Sequence, residues 1–176
     1  MLLHRKLCDA YSTAVIDVNV TAIGGENAEG GAARFERDVL PLRPDVVVLD
    51  YCLNDRGLGL ERAERAWRTM IEACLPTGTS VVLLTATPDA RTDILDDASP
   101  LAQHCELVRG LAREYGLALV DPYTAFRQRV AAGDDVHAFL SQSNHPNEAG
   151  HEVVANLLFD WISTPAHKPE AGRALR

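Results

Sequence analysis

Four short runs of branched aliphatic residues, each tied to the next by a stretch with helical spacing, constrain this chain more than any other feature. The runs are AVIDVNVTAI (14–23), DVVVLDYC (45–52), SVVLLTAT (80–87) and LALVDP (117–122). They are rich in Val, Ile and Leu and mostly lack alternation, which predicts strands covered on both faces. Between them, AEGGAARFERDVLPL (28–42) runs helically to the Arg43-Pro44 stop, and LERAERAWRTMIEACL (60–75) ends before Pro76 and Gly78. PLAQHCELVRGLAREYG (100–116) opens on Pro and stops at Gly116, and further helices are expected over 123–132 and 147–162. Such alternation predicts an α/β fold: a parallel sheet, right-handed crossovers and helices on both faces. A chain of 176 residues suits one domain, expected over 1–163. The remainder, 164–176, is Pro-, Ala- and Arg-rich without periodicity and is expected to be a flexible tail.

Charge and composition exclude several functions. The net charge is -8, against the basic balance that nucleic-acid binding wants. No apolar run approaches a membrane span, and MLLHRKLCDAYS turns charged after two leucines, unlike a signal peptide. Cys8, Cys52, Cys74 and Cys105 are scattered with no CxxC pair, so neither a metal site nor a disulfide framework is expected, and no cofactor is implied. Cys52 stands at a strand end, where a nucleophile could sit, but it has no local base; a buried thiol is the plainer reading.

In a parallel α/β sheet, ligands bind beyond the carboxyl ends of the strands. Here those positions follow Ile23, Cys52, Thr87 and Val120. After the first run, Gly24-Gly25-Glu26-Asn27 opens a helix, which suits either a tight turn or close backbone approach to a ligand. It is not a dinucleotide fingerprint, and no phosphate-loop Lys follows. After the second run, Asn54 can present its amide to the cleft, and Asp55 can brace the turn. Before the last helix comes SQSNHPNEAGH, in which His145 is the best general base of the chain. Pro146 favours an extended backbone at His145, and Asn147 can cap the helix. His151 reads as structural, and His4, His104, His137 and His167 have no comparable setting.

Each of these signals is weak alone, but their order resembles the SGNH, or GDSL, hydrolases over nearly the whole chain. VTAIGGEN is similar to that family's second block, LNDRG to its third and NHPNEAGH to its fifth. The resemblance implies a flavodoxin-like three-layer α/β/α sandwich and a serine esterase acting on a small-molecule ester, with O-acetylated carbohydrate a family-level expectation. It implies backbone N–H donation to the oxyanion from Gly25, beside Gly24, side-chain donation from Asn54, and His145 as base.

Two parts of that pattern are missing. The nucleophilic Ser belongs to a Gly-x-Ser turn after the first strand, yet this chain opens at MLLHRKL, which resembles the helix after that turn. Ser12, Ser80, Ser99, Ser141, Ser143 and Ser163 occupy other places, and Ser141 and Ser143 share the loop of His145. The acid, three residues before the His, is replaced by Gln142, a candidate for orienting the imidazole; Asp134 and Asp135 lack positional support. The expectation is therefore a fold truncated at its N-terminus, lacking its first internal strand, with the strands at 14–23 and 45–52 left with unpaired edges or paired directly. The alternative is a catalytically inactive remnant or ligand-binding domain.

Overall fold

A computed structural model describes residues 2–164. Three strands, β1 (Val46–Leu49), β2 (Ser80–Leu84) and β3 (Ala118–Val120), form a parallel sheet in the order β1-β2-β3. Val47 pairs with Val81, and Leu83 with Leu119. Six helices accompany it: α1 (Leu2–Ala10), α2 (Ala28–Asp38), α3 (Leu60–Cys74), α4 (Pro100–Tyr115), α5 (Pro122–Ala131) and α6 (Glu148–Ser163). The helix boundaries follow the local chemistry. The Asn27, Ser99 and Asn147 side chains accept from Gly30, Ala102 and Gly150 N–H at the starts of α2, α4 and α6, and Gly116 at φ 63° ends α4.

Successive residues of β2 serve opposite faces. Val81 and Leu83 enter the core with Trp67, Met70 and Ile71 of α3 and with Leu101, Val108 and Leu111 of α4. Val82 and Leu84 join Val120 and Leu158, against Leu3 of α1 and Trp161 of α6. Helices on both faces explain why the β2 run is continuously apolar. Both crossovers, through α3 and α4, pack on the same face, as right-handed connections progressing in one direction require. Full burial of each large α3 side chain contributes roughly 1.5–3 kcal/mol.

The first expected strand does not form. Residues 11–27 run as turns and coil, with Val15, Val20 and Ile23 at 95%, 67% and 56% exposure. A strand needs a neighbour for its N–H and C=O groups. Here β1 pairs with β2 alone among the described residues, so 14–23 neither pairs with it nor finds another partner. The segment is tethered where His4 Nε2 meets the Ile16 carbonyl at 3.1 Å. The other expected strands are shorter than their apolar runs, and the runs at 45–52 and 80–87 lose their C-terminal residues. One element was not expected: a hairpin of β4 (Leu140–Gln142) and β5 (His145–Pro146), where the sequence reads as a polar loop. The expected tail beyond Thr164 lies outside the described residues.

Candidate active site

The loops at the carboxyl ends of the strands are tied to one another by named bonds. The chain reaches α2 through a turn in which Glu26 N–H donates to the Ile23 carbonyl at 3.1 Å, with Gly25 at φ 77°. That φ, at the third position of the turn, is what favours glycine there; a Cβ on Gly25 would meet nothing within 4 Å. The Gly25 N–H bonds to no atom among the described residues, so it is open to a ligand. Glu26 is held by Arg34 through Nε and Nη2 at 2.9 and 2.5 Å, a largely buried pair. The Arg34 hydrogen bonds hold the Glu26 carboxyl below its ordinary range.

After β1, a 3-10 turn (Asn54–Gly57) presents two adjacent side chains to this same segment. Asn54 Nδ2 donates to the Glu26 carbonyl at 3.0 Å. One amide hydrogen is thereby spent and the other remains. Asp55, fully buried, accepts from Ala28 N–H and Trp67 Nε1–H, both at 2.7 Å. Burial pushes the Asp55 carboxyl up, and its two donors pull it down. Where the sequence suggested a cap or brace for the following turn, the Asp55 side chain joins the start of α2 to the middle of α3.

The loop after β2 carries an ion cluster that sequence reasoning missed. Asp89 has a fully buried side chain and accepts both Nε and Nη2 of Arg91 as well as Nη2 of Arg56, the last at 2.8 Å. The hydrogen bond from Arg91, with that from Arg56 behind it, lowers the carboxyl to about 2. Next to it, Ala90 N–H donates to the Ser143 carbonyl at 2.7 Å. The β2 loop thus ties the Asn54 turn to the hairpin that carries His145. The available signal was P-D-A-R directly after the run at 80–87, one of the strand ends flagged as a binding position.

Hairpin geometry makes Gln142 and His145 cross-strand partners around a two-residue turn. Neither side chain makes a hydrogen bond among the described residues, so Gln142 is a neighbour of His145 and does not hold its imidazole. Asn147 Nδ2 donates to the Ala138 carbonyl at 2.9 Å, just ahead of the hairpin, and to the Leu140 carbonyl within it at 3.4 Å, and α6 starts tight against the hairpin. A Cβ on Gly150 would stand 2.3 Å from the Phe139 carbonyl oxygen, so that contact requires glycine.

No described Ser bonds the His145 imidazole. The Ser141 hydroxyl donates to the carbonyls of His145 and Pro146. Ser99 caps α4 and Ser80 starts β2 at the far end of the sheet. Asp135 caps its own 3-10 turn, and Asp134 lies 3.6 Å from Arg129. Cys52 is buried 3.6 Å from Cys105; their hydrogen bond and burial raise its thiol well above the usual range, which removes it as a nucleophile. Among the described residues no group of three or more His, Cys, Asp or Glu could hold a metal, and no helix is long and apolar enough to cross a membrane.

A parallel sheet with helices on both faces, and loops gathered at its carboxyl ends, defines an α/β protein whose ligand position lies at those loops. The chain belongs to the GDSL-like lipase/acylhydrolase family, whose model matches residues 1–153. Among solved structures it is similar to Axe2, an acetylxylan esterase from Geobacillus stearothermophilus, at TM-score 0.80 and 22% identity, covering 92% of this chain and 79% of that one. It is also similar to the acetyl xylan esterase AlAXEase (TM-score 0.78, 21% identity, 90% and 87% covered). LAE5, an α/β hydrolase from the metagenome of Lake Arreo, Spain, matches at TM-score 0.78 and 24% identity, with 90% and 78% covered. At these identities the likeness is one of fold. No curated protein sequence matches the chain.

Proposed function

We infer that the chain carries a carboxylic ester hydrolase site for small acyl esters, with O-acetylated carbohydrate as the substrate class. Family membership supports the reaction type, and the solved neighbours named as acetylxylan esterases support the substrate class. The observation that carries the reading is the hydrogen bond from Asn54 to the Glu26 carbonyl, which puts the Asn54 amide beside the turn that presents the free Gly25 N–H. Two donors of this kind stabilise the oxyanion that forms when an acyl carbonyl is attacked. His145 would take the proton of a serine nucleophile and return it to the leaving alcohol.

In this reading the nucleophile is not one of the serines of residues 1–176, since none of the described ones meets the imidazole. Purified 1–176 is then expected not to turn over p-nitrophenyl acetate. A form that carries a strand ending in Gly-x-Ser ahead of Met1 is expected to do so. Turnover by 1–176 itself would overturn the assignment of the nucleophile. The same lack of a Ser–His contact favours a second reading, a ligand-binding domain without turnover, which an inactive extended form would support.

A further inference from the structure

Two guanidinium groups share one carboxylate beside the Asn54 turn, and the carboxylate is saturated. Asp89 Oδ1 accepts the Arg91 backbone N–H and Nε, and Oδ2 accepts Arg91 Nη2 and Arg56 Nη2. An ionised carboxylate has about four acceptor sites, so these are spent. Arg56 commits its Nε to the Leu53 carbonyl. Nη1 of each Arg remains unspent among the described residues, and the cluster keeps one uncompensated positive charge. The buried Asp89 fixes both guanidinium groups in place before any ligand arrives.

These groups face a cleft of about 490 Å³ lined by Leu53, Asn54, Arg56, Arg91, Thr92 and Pro100. Arg91 also lines a second cleft of about 400 Å³ against His137, Gln142 and Ser143. No Asp or Glu lines either one, in a chain whose net charge is -8. Both clefts therefore carry a guanidinium with no carboxylate among their lining residues. The first has room for a single sugar residue, with apolar walls from Leu53 and Pro100 and polar ones from Asn54 and Thr92.

We propose that Arg91, held with Arg56 on Asp89, forms an anion subsite beside the ester site that selects carbohydrate bearing a carboxylate, a uronic acid unit. A guanidinium fork matches a carboxylate through paired N–H donors. That the ligand is a carbohydrate ester rests on the hydrolase reading above; the anion subsite does not, and binding tests it without turnover.

The experiment is a titration of isotope-labelled 1–176 with methyl β-D-glucuronide and with methyl β-D-glucoside, observed at the Arg side-chain and Asn54 amide signals. The glucuronide is expected to bind at least about tenfold more tightly than the neutral sugar, as one charge-assisted contact allows. It should shift both Arg91 and Asn54. Arg91→Gln should remove the preference and Arg91→Lys keep part of it. Equal binding of the two sugars, or an Arg91→Gln protein that keeps the preference, overturns the proposal. A glucuronide that shifts Arg91 but not Asn54 overturns its place beside the ester site. Inorganic phosphate or acetate binding as tightly as glucuronide overturns the uronate specificity. Should Arg91→Gln fail to fold, the native chain still decides: glucuronide affinity must fall as salt rises from about 0.05 to about 0.5 M, and salt-independent binding refutes the charge contact.

Discussion

Replacing Asp55 by Ala should loosen the join on which the candidate site rests. Asp55 Oδ1 takes the Ala28 N–H and Oδ2 the Trp67 indole N–H, both at 2.7 Å and both buried. Alanine leaves the two donors unpaired, each at about 1–3 kcal/mol, or roughly 2–6 kcal/mol together. Against this, the carboxyl is raised by burial, so its charge opposes folding near neutral pH and its loss returns part of the cost. The expected net loss is about 3 kcal/mol, a large share of the roughly 5–15 kcal/mol typical of a folded domain. Asp55→Asn keeps one acceptor but turns an amide N–H toward the other donor, and should fall between native and Ala. Urea unfolding reads this directly. With a slope of about 2 kcal/mol per M, the midpoint should drop by about 1.5 M for Ala at unchanged slope. A loss under about 1 kcal/mol, or Asn costing more than Ala, would refute the brace.

Three further outcomes are expected. Asp89→Asn should destabilise by about 1 kcal/mol at pH 7, less than the roughly 2 kcal/mol its lowered carboxyl implies, because the largely exposed Arg91 is screened. The sign follows from a folded value depressed to about 2 from an ordinary 3.8: the stabilisation is present above about pH 4 and lost toward pH 2, so native and variant unfolding curves should converge there. Gly150→Ala drives a Cβ into the Phe139 carbonyl and Pro146; a cost of about 1–3 kcal/mol, with the His145 amide signals moving most, is expected, and an unmoved hairpin would contradict the packing. In a form that hydrolyses acetyl esters, Asn54→Ala should lower turnover by about 10²–10³-fold, and near-parent kcat would remove Asn54 from the oxyanion role.

The parallel sheet was legible because its evidence is periodic. The runs around β2 and β3 and the cap Asn147 each carry their signal locally. The segment at 14–23 has the same composition as a strand yet stays coil, because strand formation is decided by a neighbour's backbone groups and not by Val and Ile content. Gly25 and Asn54 were legible as turn residues, but their meeting depends on a bond spanning 28 positions, which no local pattern encodes. The Arg56–Asp89–Arg91 cluster was missed for a related reason. Its members sit on two loops, and only the fold turns one Asp into the shared partner of two Arg residues. Gln142 shows the converse: the resemblance put it where the family's acid stands and implied an orienting bond, and the hairpin makes the two neighbours without one.

The most direct test of the ester-hydrolase reading is acetyl-ester turnover by a form extended ahead of Met1 with a Gly-x-Ser strand and turn, compared with the same form carrying His145→Ala. The account predicts p-nitrophenyl acetate hydrolysis that His145→Ala abolishes while the fold, read by circular dichroism, is kept. Hydrolysis at a near-parent rate in the folded His145→Ala form would contradict it.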